Sequence, residues 1–156
     1  MDEMKVFAGV VQYIKVEMGV ETFGIDISYV DNIVRMQNIT RVPDTPDYIK
    51  GVINLRGEIV PIMNLRLKMG LEEIEETKAT RIIIIKMDQV GKIGLIVDCV
   101  KEVISLTEEQ MEVNKHDSKD EANHFVSAVG KVGDYIISLL DLNTVVMDKT
   151  LREDNA

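Results

Sequence analysis

Gly51-Val52-Ile53-Asn54-Leu55-Arg56-Gly57, running on into Glu58-Ile59-Val60-Pro61-Ile62-Met63-Asn64-Leu65, is the stretch from which this sequence is best read. β-Branched side chains crowd both parts, and they lose little on being fixed in a pleated strand. Arg56-Gly57 interrupts them, and a glycine between two apolar runs signals a tight turn. The stretch predicts two strands joined at that turn. Pro61 has no N–H to give to a ladder, so its strand needs an edge, a bulge or an unpaired position there.

Upstream, residues 6–17 and 21–27 are apolar-rich and meet at Met18-Gly19-Val20, which predicts an opening pair of antiparallel strands. Tyr29, Val30, Ile33 and Val34 then form a stripe of helical spacing, and Asp26 or Ser28 stands ready to cap it, so a short helix is expected. Pro43 and Pro46 bracket an exposed connection. Downstream, a helical turn or two leads to Gly70, and residues 71–79, with four glutamates, read as a solvated link. Strands are expected at 80–87 and 92–97 around a turn at 88–91, and another at 103–106. Thr107 looks like a cap followed by the acids Glu108 and Glu109 at a helix start, and the polar segment 111–123 reads as a mobile loop. Strands at 125–129 and 135–140 flank a turn at 130–133, and residues 142–151 suggest a closing helix.

The composition agrees. Val and Ile number 20 and 19 among 156 residues and Trp is absent, which favours sheet in one domain or two small ones sharing a core. Acids outnumber bases 27 to 18 for a net charge of -9, with no concentrated basic patch, so no nucleic-acid partner is expected. The single cysteine forbids an internal disulfide framework. No secretory signal is visible, and the longest apolar run, 82–85, is far short of the ~20 residues that span a bilayer. A cytoplasmic protein without direct membrane insertion is expected.

Chemistry-bearing patterns are thin. His116 and His124 are eight residues apart and Cys99 lies elsewhere, so no metal site is predicted. None of Ser28, Ser105, Ser118, Ser127 or Ser138 sits in a nucleophile elbow, and no phosphate-cradling glycine motif occurs. Asp26, Asp98 and Asp141 stand near strand ends, where capping is the common role, although a convergent carboxylate pair would make a small enzyme. No catalytic residue and no cofactor are assigned. Binding is better supported: the Arg56 guanidinium at its turn is a rigid donor fork suited to a protein interface, or else it is simply solvated or ion-paired within the chain.

A faint duplication runs through the chain. Residues 23–27 resemble 93–97 at an offset of 70, which sets Val30 and Ile33 opposite Val100 and Val103; residues 59–65 resemble 136–142 at an offset of 77. Either hydrophobic strands merely look alike, or two similar β subdomains pack together. In the second case Val30 and Val100 could line their junction instead of the core.

Together, residues 24–27, Thr45-Pro46, 49–57 and 59–66, with 94–98, 103–106 and 130–134, resemble the CheW chemotaxis coupling family over residues 6–148. The resemblance implies an all-β-dominated fold of two SH3-like five-stranded β-barrel subdomains with short helices. It implies one CheW-like domain over 1–156, its two interleaved barrels having approximate halves 6–78 and 79–148. It also implies a non-enzymatic adaptor, recruited to membrane-associated receptor arrays. Its partners would be the regulatory domain of the CheA histidine kinase and the cytoplasmic hairpin tips of methyl-accepting receptors. Val30, Gly51, Gly94 and Val100 match positions tied to receptor binding, with close backbone packing the alternative role of the two glycines; Arg56 is the arginine of the NLRG motif, and Ile33 and Ile53 are nearby apolar candidates or else core. Cys99 stands where the family commonly has glycine, and Asn64 where aspartate is frequent. The rival reading within this resemblance is a module from a fused regulator or a scavenging adaptor.

Overall fold

Residues 10–18 bury alternate side chains, and in the computed structural model they form β1 (Val10–Met18), with Ile14, Val16 and Met18 inside. The structure describes residues 9–113 and 122–147. Residues 6–8 of the expected first strand, 114–121 of the expected loop with His116 and Ser118, and the end of the closing helix lie outside these residues. At Gly19 the chain turns into β2 (Glu21–Asp26), paired antiparallel with β1 from Met18↔Glu21 to Tyr13↔Asp26.

The helix expected over 29–34 is replaced. Asp26 Oδ1 accepts from the Ser28 amide at 2.9 Å and the Ser28 hydroxyl at 2.8 Å, holding a single 3-10 turn over Ile27–Tyr29. β3 (Val30–Arg35) then begins, alternating half-buried and exposed residues. The reason is β6 (Arg81–Met87), whose buried backbone needs partners on both sides. β7 (Gly91–Val97) supplies one side and β3 the other, so tertiary pairing overrides a stripe too short to fix a period.

β4 (Ile49–Leu55) and β5 (Glu58–Asn64) form the expected hairpin. Pro61 stands opposite Val52, whose own N–H and C=O bond away to Thr40, and parallel pairing of β5 with β7 starts only at Ile62, so neither ladder draws on the N–H that Pro61 lacks. α1 (Leu65–Lys68) follows. β8 (Cys99–Thr107) is longer than expected and ends where Gln110 Oε1 accepts from the Thr107 amide at 2.9 Å, capping a 3-10 turn over Glu108–Gln110. Residues read as loop supply β9 (Met111–Val113). A 3-10 turn over Ala122–Phe125, β10 (Val126–Val132), β11 (Tyr135–Leu140) and α2 (Leu142–Met147) complete the described chain.

The two closed five-stranded barrels are not found. The described residues form two β-sheet subdomains, a six-stranded sheet in the order β8-β1-β2-β11-β10-β9 and a five-stranded sheet in the order β3-β6-β7-β5-β4, and among them neither sheet joins its end strands in a ladder. Residues 36–48, with Pro43 and Pro46, leave the five-stranded sheet instead of extending β3 along β4, and a single bridge at Thr40↔Val52 spans the gap. Sheet membership also cuts across the halves 6–78 and 79–148, because β3, β4 and β5 join β6 and β7, while β1 and β2 join β8 to β11.

The run 82–85 shows how the core is built. Ile83 and Ile85 enter the large core between the sheets, with Val16, Phe23, Ile25 and Leu95, while Ile82 and Ile84 enter a second cluster with Ile53, Val60 and Ile62 on the other face. A strand buried on both faces reads as an unbroken apolar run.

The duplication is structural. β11 lies parallel to β2 with Leu139↔Gly24, and β5 lies parallel to β7 with Ile62↔Gly94. Each half places its first two strands in one sheet and sends the rest into the other. The helix starts repeat as well: Asn64 Oδ1 accepts from the Leu67 amide at 3.1 Å, and Asp141 Oδ1 from the Thr144 amide at 3.2 Å. Side chains tie the sheets further. Arg66 Nε and Nη2 donate to Asp98 at 2.9 and 2.7 Å, and the Gly19 amide donates to the same carboxylate at 2.9 Å. Buried Lys68 holds its Nζ 4.2 Å from the Tyr48 ring centre and 5.9 Å from that of Phe125. Burial pulls the Asp98 carboxyl upward, but the hydrogen bonds from Arg66 and Gly19 and the Arg66 charge outweigh it and leave its pKa lowered.

Two predictions concern these joints. A Cβ on Gly94 would lie 2.7 Å from both Ile62 Cδ1 and Ile82 Cγ2. G94A should destabilise by about 1–3 kcal/mol in urea unfolding, and I62V, which removes one of the two opposing methyls, should recover part of the loss in the double variant. Because the folded Asp98 pKa is depressed, its contribution is complete above about pH 4 and is lost as pH falls through the lower folded value. D98N should flatten that acid limb of the stability curve; an unchanged limb removes Asp98 from it.

Candidate protein-binding surface

The β4–β5 turn is tight and unusual. Asn54 Oδ1 accepts from the Gly57 amide at 3.0 Å, and both central residues are left-handed, with φ of 54° at Arg56 and 88° at Gly57. Such two-residue hairpin turns match the twist of the strands and favour Asn, Asp or Gly where Arg56 stands. The arginine is therefore held in a backbone state disfavoured by ~1–2 kcal/mol for an ordinary residue. Its side chain is exposed and makes no ion pair among the described residues, so the internal salt bridge is not formed.

The same end of the five-stranded sheet is braced by Lys92, whose Nζ lies 2.7 Å from Glu58 and 3.5 Å from Asp31, joining the starts of β7, β5 and β3. Those contacts hold the Lys92 pKa raised, chiefly through the hydrogen bond to Glu58. Two large apolar side chains stand exposed at this end: Ile59 at 63% and Val90, in the β6–β7 turn, at 46%. Neither was singled out from sequence. The available signal was the alternation of β5, in which buried Val60 and Ile62 put Ile59 on the outward face. Its repeat partner Ile136 is outward too, at 62%.

The other expected residues separate into three groups. Val30 on β3 and Val100 on β8 are half-buried against the core between the sheets, each on an edge strand of a different sheet. Ile33, 37% exposed, lies farther along β3. Ile53 is only 2% exposed and belongs to the second core cluster. Gly51 and Gly94 are buried inside β4 and β7. At Gly51, φ is 139° and a Cβ would fall 2.1 Å from the Thr40 carbonyl oxygen, so both backbone conformation and space require glycine. The structure thus brings Arg56 together with Ile59 and Val90 at one end, sets Val30 and Val100 at the junction, and places Ile53, Gly51 and Gly94 in the framework. Half-buried Cys99 lies within 3.9 Å of the Val100 carbonyl oxygen through its Sγ.

Comparison with known proteins matches residues 12–149 to the CheW-like domain. The chemotaxis protein CheW of Klebsiella aerogenes is 34% identical over 134 residues, covering 86% of this chain and 80% of that one. The Bacillus subtilis CheW is 34% identical over 124 residues, with coverages of 80% and 79%. Among solved structures, the scaffolding protein TtCheW from Thermoanaerobacter tengcongensis superposes with a TM-score of 0.81 at 33% identity, over 88% of this chain and 92% of that one.

Glycine at position 56 would relieve the left-handed backbone while removing the guanidinium. R56G should therefore be neutral to stabilising, by up to about 1 kcal/mol in urea unfolding. A loss of more than 1 kcal/mol would show that the arginine side chain supports the hairpin.

Proposed function

The chain belongs to the CheW family, and on that premise we propose that it is a non-enzymatic adaptor coupling chemotaxis receptors to the CheA histidine kinase. The finer reading is that it bridges the kinase regulatory domain and the cytoplasmic hairpin tips of methyl-accepting receptors, acting as one unit within membrane-associated arrays. Val30 and Val100 border the receptor groove, with Ile33 beside it, and Gly51, Ile53 and Gly94 keep its walls in place. The observation that carries the interface is Arg56, a guanidinium without an ion pair among the described residues, presented on a constrained turn beside exposed Ile59 and Val90. Arginine flanked by apolar groups is the composition of a binding hot spot. No helix among the described residues is long and apolar enough to cross a membrane.

Coupling of this kind is a free energy between two binding events, reciprocal by thermodynamic necessity. The free energy with which each partner binds the adaptor must therefore change by the same amount when the other is bound.

Isothermal titration of the chain against a kinase regulatory domain, and separately against a receptor hairpin from the same cell, tests the reading. Saturable binding to both is expected, and R56G should weaken at least one by roughly tenfold. Binding to neither partner under array-like concentrations would defeat the coupling role for these partners. A folded R56G protein that binds both normally would remove Arg56 from the interface.

A further inference from the structure

At the opposite end of the five-stranded sheet, about 20 Å along β5 from the Arg56 turn, lies a cleft of about 230 Å³. Its floor is apolar: Met36, Ile39 and Ile96 line it while packing on the second core cluster. Its wall is the exposed link after α1, which contributes Glu73, Ile74, Glu75 and Glu76, with Ile74 45% exposed. The lining is electrically unbalanced, because four carboxylates, those of Glu73, Glu75, Glu76 and Asp98, meet only two cations, Lys50 and Arg66. Both cations are already engaged, Lys50 with Glu73 at 2.8 Å and Arg66 with Asp98 at 2.7 Å. Glu75 and Glu76 make no ion pair among the described residues.

We propose that this cleft docks a segment of a partner protein that presents an arginine or lysine next to an apolar side chain. The cation complements Glu75 and Glu76, and its aliphatic stem and apolar neighbour lie against Ile39, Ile96 and Ile74. The volume falls below the ~300–1,000 Å³ of most small-molecule sites, which favours side chains projecting from a macromolecule over a free metabolite. Paired Lys50 and Arg66 fix the walls and leave the excess negative charge to the incoming group. The site is separate from the Arg56 surface and stands or falls independently of it.

Amide shifts of the ¹⁵N-labelled full chain titrated with acetyl-arginyl-leucinamide read this out, with the isosteric neutral citrulline peptide as control. Saturable shifts at Lys50, Thr80 and Ile96 are expected with the arginine peptide and none with the citrulline peptide. The double change E75Q/E76Q, on exposed side chains, should weaken binding roughly three- to tenfold with the melting curve intact. R56G should leave the titration unchanged. Equal binding of the two peptides, or indifference to E75Q/E76Q, overturns the proposal. Arginine amide binding as tightly as the dipeptide would also overturn it, by making this a free-cation site.

Discussion

Two parallel strand pairs, β2 beside β11 and β7 beside β5, set the conditions for the rest of the molecule. In each, a glycine lies where a neighbour already fills the space of a side chain: Leu139 reaches within 2.8 Å of a Cβ built on Gly24, and Ile62 within 2.7 Å of one on Gly94. Both close approaches lie on the faces turned away from the shared core, Ile62 in the second cluster and Leu139 in a third with Leu106 and Ile137, so that the flanking Phe23, Ile25 and Leu95 point inward to meet Ile83 between the sheets. β2 and β11 come from opposite ends of the chain, so the six-stranded sheet is completed only when the last strand arrives. That is costly in loop entropy and slow to form, and the large shared core is what offsets it.

A framework buried on both faces has little side chain to spare for recognition. What remains outside is turns and edges, which is where binding groups are expected on a rigid scaffold. The Arg56 turn illustrates the exchange: β4 and β5 are committed to the second core cluster, and the two residues between them accept left-handed backbone to project a guanidinium. Lys92 reinforces the same end by pairing with acids on two other strands, so the surface around Ile59 rests on three strands and not on one hairpin.

Much of this was legible in the residues. The β4–β5 hairpin could be read because Arg56-Gly57 interrupts two β-branched runs, and the cap at Asp141 because it stands at a strand end; the matching cap at Asn64 was not read. β3 was misread because Tyr29, Val30, Ile33 and Val34 fit a helical period as well as any other, and only the unsatisfied edge of β6 decides between them. Closed barrels failed for a related reason: strand number can be counted along a chain, but whether the outer strands meet depends on where residues 36–48 travel. In the binding surface, close backbone packing at Gly51 and Gly94 and a core place for Ile53 were legible as alternatives to direct contact, and the crowded Cβ positions and the buried face of β4 decide for them. Ile59 escaped because its outward direction depends on register, which a shift of one residue would reverse.

The departures from the family pattern fall where geometry matters more than the identity of one atom. Asn64 replaces a frequent aspartate, yet a cap needs only an acceptor oxygen aimed at the amide three residues on, and the Asn64 Oδ1 supplies it at 3.1 Å. Asp141 performs the same task at 3.2 Å in the second half, so amide and carboxylate do one job side by side in a single chain. Cys99 stands where the family resemblance implies glycine, at the first residue of β8 and opposite Glu17 in the ladder with β1; the thiol is only half-buried, and the ladder's register shift comes farther along, between Ile14 and Val16. Gly51 is the contrast: with φ at 139° and the Thr40 carbonyl occupying the Cβ position, no other residue meets the requirement. Side-chain substitutions survive at the first kind of position because the replacement keeps the acceptor or leaves the strand pairing to the backbone, and they fail at the second because backbone already occupies the space of a side chain.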